Sequence, residues 1–228
     1  MLDAALRTAL ARKPLAARPR FSYDRKRPLD LRLGSTQTTD GIARQALTFD
    51  AGHGRKAAYW THPLGSGPWP VVLFSPGSDG TESTQLPDAD RLAEKGVASL
   101  TVAPPSALVT CRAAADVHAF VNYVVGRRRA LDLLAQLPDA DPSRCRRGRL
   151  QLRRRGHGRS GRSRPPRARR RHPVRPRRRD PISPAKDVDV LFRAASRPKE
   201  RRWYDAPHEL DGQALAVRDA WLVKLLLG

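Results

Sequence analysis

Between Arg144 and Arg179 the chain has no lysine, no aspartate, no glutamate and no aromatic residue. Eighteen of these 36 residues are arginine. The 228-residue chain carries a formal charge of +22, and +18 of it lies in this one segment. Outside it, 26 basic side chains meet 22 acidic ones, a near balance. The basic character therefore belongs to a segment and not to the protein. All seven lysines, Lys13, Lys26, Lys56, Lys95, Lys186, Lys199 and Lys224, lie outside the segment. Their absence within it argues against a selected polycation, and the missing aromatics argue against a base-stacking arm.

Other scarcities narrow the class further. Two cysteines, Cys111 and Cys145, give neither a disulfide framework nor a metal-finger spacing. His53, His62, His118, His157 and His172 show no metal-ligand spacing along the chain. No metal and no cofactor is expected. No apolar run approaches the ~20 residues that a membrane-spanning helix needs. Residues Met1 to Arg20 mix Ala and Leu with Arg and Lys, without an uninterrupted apolar stretch or a clear cleavage site. They read as a weak surface helix, and the expected location is the cytoplasm. The length is enough for one domain with its own core.

What is present alternates between strand and helix. Gln45 to Phe49 and Arg55 to Thr61 are strand-like and joined by the hairpin turn Gly52-His53-Gly54. Val71 to Phe74 is a continuous β-branched and apolar run bounded by turn residues, which predicts a strand buried on both faces. It leads into the Gly-rich loop Ser75 to Gly80. Pro87 to Lys95 has Pro and Asp in its first turn and Gly96 as a stop, a helix signature. Val97 to Ala103 is a second buried strand, and Ala113 to Leu137 a long helix. Asp139 to Pro142 reads as a turn, with a third strand due near Arg144. Beyond the Arg segment a helix is expected from Ser183 to about Ala195. Glu200 to Tyr204 is strand-like, and Asp211 to Leu227 is an amphipathic helix. This alternation predicts an α/β fold with a mostly parallel sheet. The expected organisation is a lead-in over 1–40, a first part of the domain over 41–143, an aberrant or disordered Arg-rich segment over 144–179, and a second part over 180–228.

The flanks of that segment resemble the α/β-hydrolase family, in its dienelactone-hydrolase-like and acyl esterase branch. Pro70 to Gly80 resembles the strand and loop that end in a His-Gly oxyanion motif, with Ser75-Pro76 in place of the usual His. Leu92 to Leu100 resembles the following helix-to-strand step, and Arg128 to Arg144 the helix and turn that precede the nucleophile strand. Asp180 to Pro184 resembles the loop carrying the acid, and Trp203 to His208 the one carrying the catalytic histidine. The resemblance implies an α/β-hydrolase-like sheet flanked by helices and interrupted by the Arg-rich segment. It also implies ester or related acyl hydrolysis of a small-molecule substrate, with Asp180 and His208 in the triad. Ser78 would supply an oxyanion-hole N–H. Asp187 and Asp205 are weaker candidates for the acid.

That chemistry needs a serine on a strained strand-to-helix turn, Gly-x-Ser-x-Gly. The histidine takes its proton and the acid orients the histidine. No serine in the chain has glycine at both −2 and +2; Ser160, with Gly158 before it and Arg162 after it, comes nearest. The nucleophile is expected near Gln151, and as it stands the chain is expected to be inactive. A composition of Arg, Gly, Pro, Ser and His is what GC-rich codons yield out of frame. One set of synonymous codons for Cys145 to Arg155, read one nucleotide later, gives Ala-Val-Val-Gly-Gly-Phe-Ser-Phe-Gly-Gly, its serine aligned with Gln151. Asp180 follows Gln151 by only 29 positions, also too few for the elements due there. The rival reading is a nucleic-acid or acidic-partner binder acting through Arg144–Arg179. Non-specific polyanion binding is expected of that stretch in either case.

Overall fold

The computed structural model describes residues 21–77, 80–104, 113–137, 139–148, 185–204 and 211–228. The chain divides into two compact units, residues 2–150 with 218–228, and residues 151–217. Among the described residues of the larger unit, six strands form one sheet in the order β1-β2-β3-β5-β4-β6. They are β1 (Arg32–Thr39), β2 (Ile42–Asp50), β3 (Arg55–Pro63), β4 (Trp69–Phe74), β5 (Ala98–Val102) and β6 (Ala140–Gly148). The helices are α1 (Leu86–Ala93), α2 (Ala113–Leu134), α3 (Ala185–Ala194) and α4 (Gly212–Leu227). The sheet is mixed. β1, β2 and β3 are antiparallel neighbours and β3 meets β5 antiparallel, whereas β4 lies parallel to both β5 and β6. This is an α/β fold whose three parallel strands, β5, β4 and β6, form one side of the described sheet.

Strand alternation sorts the core into two layers. Val71 and Leu73 of β4 and Ala98, Leu100 and Val102 of β5 face Ala130, Leu133 and Leu134 of α2. Val72 and Phe74 face Ala89 and Leu92 of α1, together with Leu222 and Leu226 of α4. A strand with apolar residues on both faces must be covered on both, and the two helices flanking β5 in sequence do this from opposite sides. Helix α1 stops where Gly96, at φ +84°, turns the chain. There the N–H of Val97 donates to the carbonyl of Leu92 and that of Gly96 to Ala93, a left-handed helix stop. A charged knot pins α4 to α1: Arg91 and Arg218 both engage Asp88 and the fully buried Asp219.

The structure departs from the sequence reading in three places. β1 was not expected; it is exposed at every residue, so no buried face marks it in the sequence. Glu200 to Tyr204, read as strand-like, forms no strand. The third parallel strand begins within the stretch expected to be a turn and runs through Arg144 to Gly148, the first five residues of the Arg segment. A register irregularity between Pro70 and Val71 absorbs that start. There the Asp141 carboxylate accepts from the Ser143 hydroxyl at 2.5 Å and from the Arg144 Nε at 2.6 Å. These bonds hold the Asp141 carboxyl down at about 2. In the smaller unit, α3 ends on the Lys199 ammonium, which donates to the carbonyls of Phe192 at 2.6 Å and Ala195 at 2.9 Å.

Candidate active site at the strand-end crevice

The connection from β4 through α1 steps to β5 on one side. The connection from β5 through α2 steps back over β4 to β6 on the other. Neighbouring parallel strands left in opposite directions open a crevice at their carboxyl ends, the usual ligand position in an open α/β sheet. The rule puts that position between β4 and β6 in this strand order. The two strands end level, because Phe74 pairs with Gly148. The chain therefore leaves β4 and β6 side by side, at one rim.

Past Phe74 the chain makes a tight turn, with the Gly80 N–H donating to the Gly77 carbonyl at 3.1 Å. A Cβ on Gly80 would lie 2.9 Å from Thr84 Oγ1 and 3.0 Å from Pro76 Cβ, so a side chain there would force Thr84 to shift. The Thr84 hydroxyl also accepts from the Thr81 N–H at 2.8 Å. Gln85, at the start of α1, is 1% exposed, and neither atom of its amide has a protein partner. The hydroxyls of Thr61, Ser99 and Thr101 are likewise buried without one. The register places these three on the sheet face that α1 covers.

Beneath the rim on the α2 side lies a buried cation. Arg127 donates to the carbonyl of Val102 at 3.0 Å and that of Phe74 at 3.4 Å, the last residues of β5 and β4. Its guanidinium also stacks 4.8 Å from the Tyr123 ring centroid. Burial pushes its pKa below the ordinary arginine value. Lys56 donates to the Pro104 carbonyl at 3.2 Å, and burial followed by the nearby Arg127 charge lowers its pKa. The carbonyl ends of parallel strands are where backbone acceptors lose their partners; Arg127 satisfies those of β4 and β5, and Lys56 one in the loop after β5. In the sequence Arg127 is one of three consecutive arginines in a helix and reads as a solvated face, so nothing flagged it.

Ser78, Gln151, Asp180 and His208 all lie outside the described residues, as do Asp205 and the side chain of Asp187. The structure thus brings together the two strand ends that precede Ser78 and Gln151 and leaves the triad residues unplaced. Among the described residues no three His, Cys, Asp or Glu side chains form a metal-binding group. Among them, too, no helix is long and apolar enough to cross a membrane.

No protein-family model matches the chain. No curated protein matches it either. Among solved structures it is similar to an acetyl xylan esterase from Paenibacillus sp. R4, at 18% identity over 53% of this chain and 46% of that one, with a TM-score of 0.42. It is also similar to a cold-adapted esterase from an Arctic intertidal metagenomic library, at 13% identity over 46% of this chain and 50% of that one, with a TM-score of 0.39. The chain spans about half the length of these structures.

Proposed function

We propose that the chain is an α/β-hydrolase-fold serine hydrolase of the acyl esterase kind whose nucleophile strand runs out of frame, so that it does not turn over ester as it stands. The carrying observation is the register of β6. Its backbone runs parallel to β4 with Gly148 level with Phe74, which supports reading it as the nucleophile strand. Three residues beyond Gly148 is Gln151, where the elbow serine is due. Four beyond Phe74 is Ser78, the oxyanion donor of this reading. The residues paired with the buried Val72 and Leu73 of β4 are Arg146 and Arg147. A nucleophile strand is a parallel strand buried on both faces and built from Val, Ile and Leu, so in this reading arginine is the wrong chemistry for this position.

In this reading the serine attacks the ester carbonyl, His208 takes its proton, and Asp180 holds the imidazole in the required tautomer. Arg127 fixes the carbonyl ends beneath the crevice. Without the serine, only the small residual catalysis of binding and oxyanion stabilisation is left. The test is labelling with an organophosphonate probe, together with hydrolysis of short-chain nitrophenyl esters. The chain should show no covalent adduct and no burst. A frame-restored chain should show both and lose turnover in Asp180→Asn and His208→Ala. An adduct on any serine of the present chain contradicts the proposal.

A further inference from the structure

His53 and His118 are 65 positions apart in sequence, yet the fold sets their ring centroids 6.0 Å from each other with planes at 74°. His53 sits in the β2–β3 turn and His118 in the first half of α2, both exposed. The turn is held firmly. Gly52 N–H donates to the Asp50 carboxylate at 2.7 Å, and Ala51 N–H to the Gly54 carbonyl at 3.0 Å. Arg129 Nε reaches back from α2 to the Asp50 carbonyl at 2.7 Å. At Gly52 a Cβ would already lie 3.2 Å from Arg129 Cδ and 3.3 Å from Val125 Cγ1, so the turn lies directly on the helix. The two imidazoles are thus presented by a fixed frame.

Beside them, the Asn122 amide nitrogen lies 3.4 Å from His118 Nδ1, while the Asn122 Oδ1 is buried without a partner. Amide oxygen and nitrogen exchange places by a half-turn of the side chain. With the oxygen toward His118, Asn122 accepts from Nδ1–H, and the amide nitrogen takes the inner position. That bond fixes the tautomer that leaves the Nε2 lone pair free, the outer-shell arrangement typical of metal-ligating histidine.

We propose that His53 and His118 form a two-imidazole site for a borderline divalent transition metal such as Zn2+ or Cu2+, with water completing the coordination and Asn122 orienting His118. Bonds of about 2.0–2.1 Å from metal to nitrogen put each ring centroid roughly 3 Å from the ion, hence roughly 5 Å from each other at the tetrahedral angle. The observed 6.0 Å is about 1 Å wider than that, so binding draws the two exposed side chains together by a small turn. Imidazole nitrogen suits Zn and Cu and is a poor ligand for Mg or Ca. Bound metal would staple the β2–β3 turn to α2 and stabilise the folded state in proportion to its occupancy.

The test is calorimetric titration of the full chain with Zn2+, paired with electron paramagnetic resonance of the Cu2+ form. His53→Gln and His118→Gln replace exposed side chains, and His62→Gln is the control. Each of the first two should weaken binding at least about tenfold and reduce the Cu2+ nitrogen count by one, and the double substitution should abolish the site. Asn122→Ala should weaken it about tenfold, and His62→Gln should leave it unchanged. A wild-type chain that takes up no ion, or one whose binding is the same in the double variant, overturns the proposal.

Discussion

Three consecutive arginines in α2 show how much one residue type can differ by position. Arg127 caps the ends of β4 and β5. Arg128 donates to the Phe21 carbonyl at 2.5 Å and lies over the Tyr23 ring. Arg129 is 1% exposed and gathers the carbonyls of Asp50, Asp24, Arg27 and Pro28 onto one guanidinium. Replacing it strands buried acceptors as well as losing charged hydrogen bonds, so Arg129→Met should cost on the order of 3 kcal/mol in urea unfolding. Lysine, with one compact head and no fork, should recover only part of that. Asp141 gives a pH signature at the start of β6. Its folded value of about 2 lies below the ordinary 3.8, so its contribution is complete above about 4 and is lost as pH falls through about 2. Amide exchange at Ser143 and Arg144 should speed up over that window, and Asp141→Asn should remove the dependence.

At the scale of elements, β6 is the informative case. Arg146 and Arg147 stand opposite Val72 and Leu73, which are 0% and 3% exposed. Arg146→Val with Arg147→Val should stabilise the larger unit by about 1–3 kcal/mol, read as a rise in melting temperature. A fall would mean that arginine is native to this strand. Elements with a buried face were legible from sequence. β4 and β5 are apolar runs, α1 carries its Pro, Asp and Gly punctuation, and the Gly52-His53-Gly54 turn joins β2 to β3 as expected. β1 was not legible, because Arg-Leu-Gly-Ser-Thr-Gln-Thr-Thr buries neither face and its pairing is all backbone. β6 was misplaced because Asp-Pro-Ser reads as a turn, and because pairing with β4 carries the strand on through residues with no apolar pattern. The candidate site was legible only as motifs. The switch point that brings its two strand ends together is a property of strand order, which no local pattern encodes. The cations beneath the rim and the His53–His118 pair likewise join residues distant in sequence.

For the whole molecule, the question is whether a +18 segment is a working part. A folded domain holds only ~5–15 kcal/mol of stability, so a parallel strand of the wrong chemistry beside β4 leaves little in reserve. Limited proteolysis should therefore cut early after Arg144. As a polyanion binder the chain should hold RNA and DNA alike, with affinity falling steeply with salt and no preference of sequence or shape. A preference that survives physiological salt would favour the nucleic-acid reading. The most direct measurement of the central claim is the nucleotide sequence of the gene through codons 145–155. Read one nucleotide later, it should encode a short apolar strand ending in Gly-x-Ser-x-Gly, with the serine aligned to Gln151. Stop codons there, or any reading without that elbow, would contradict the account and make the arginines of β6 native to the protein.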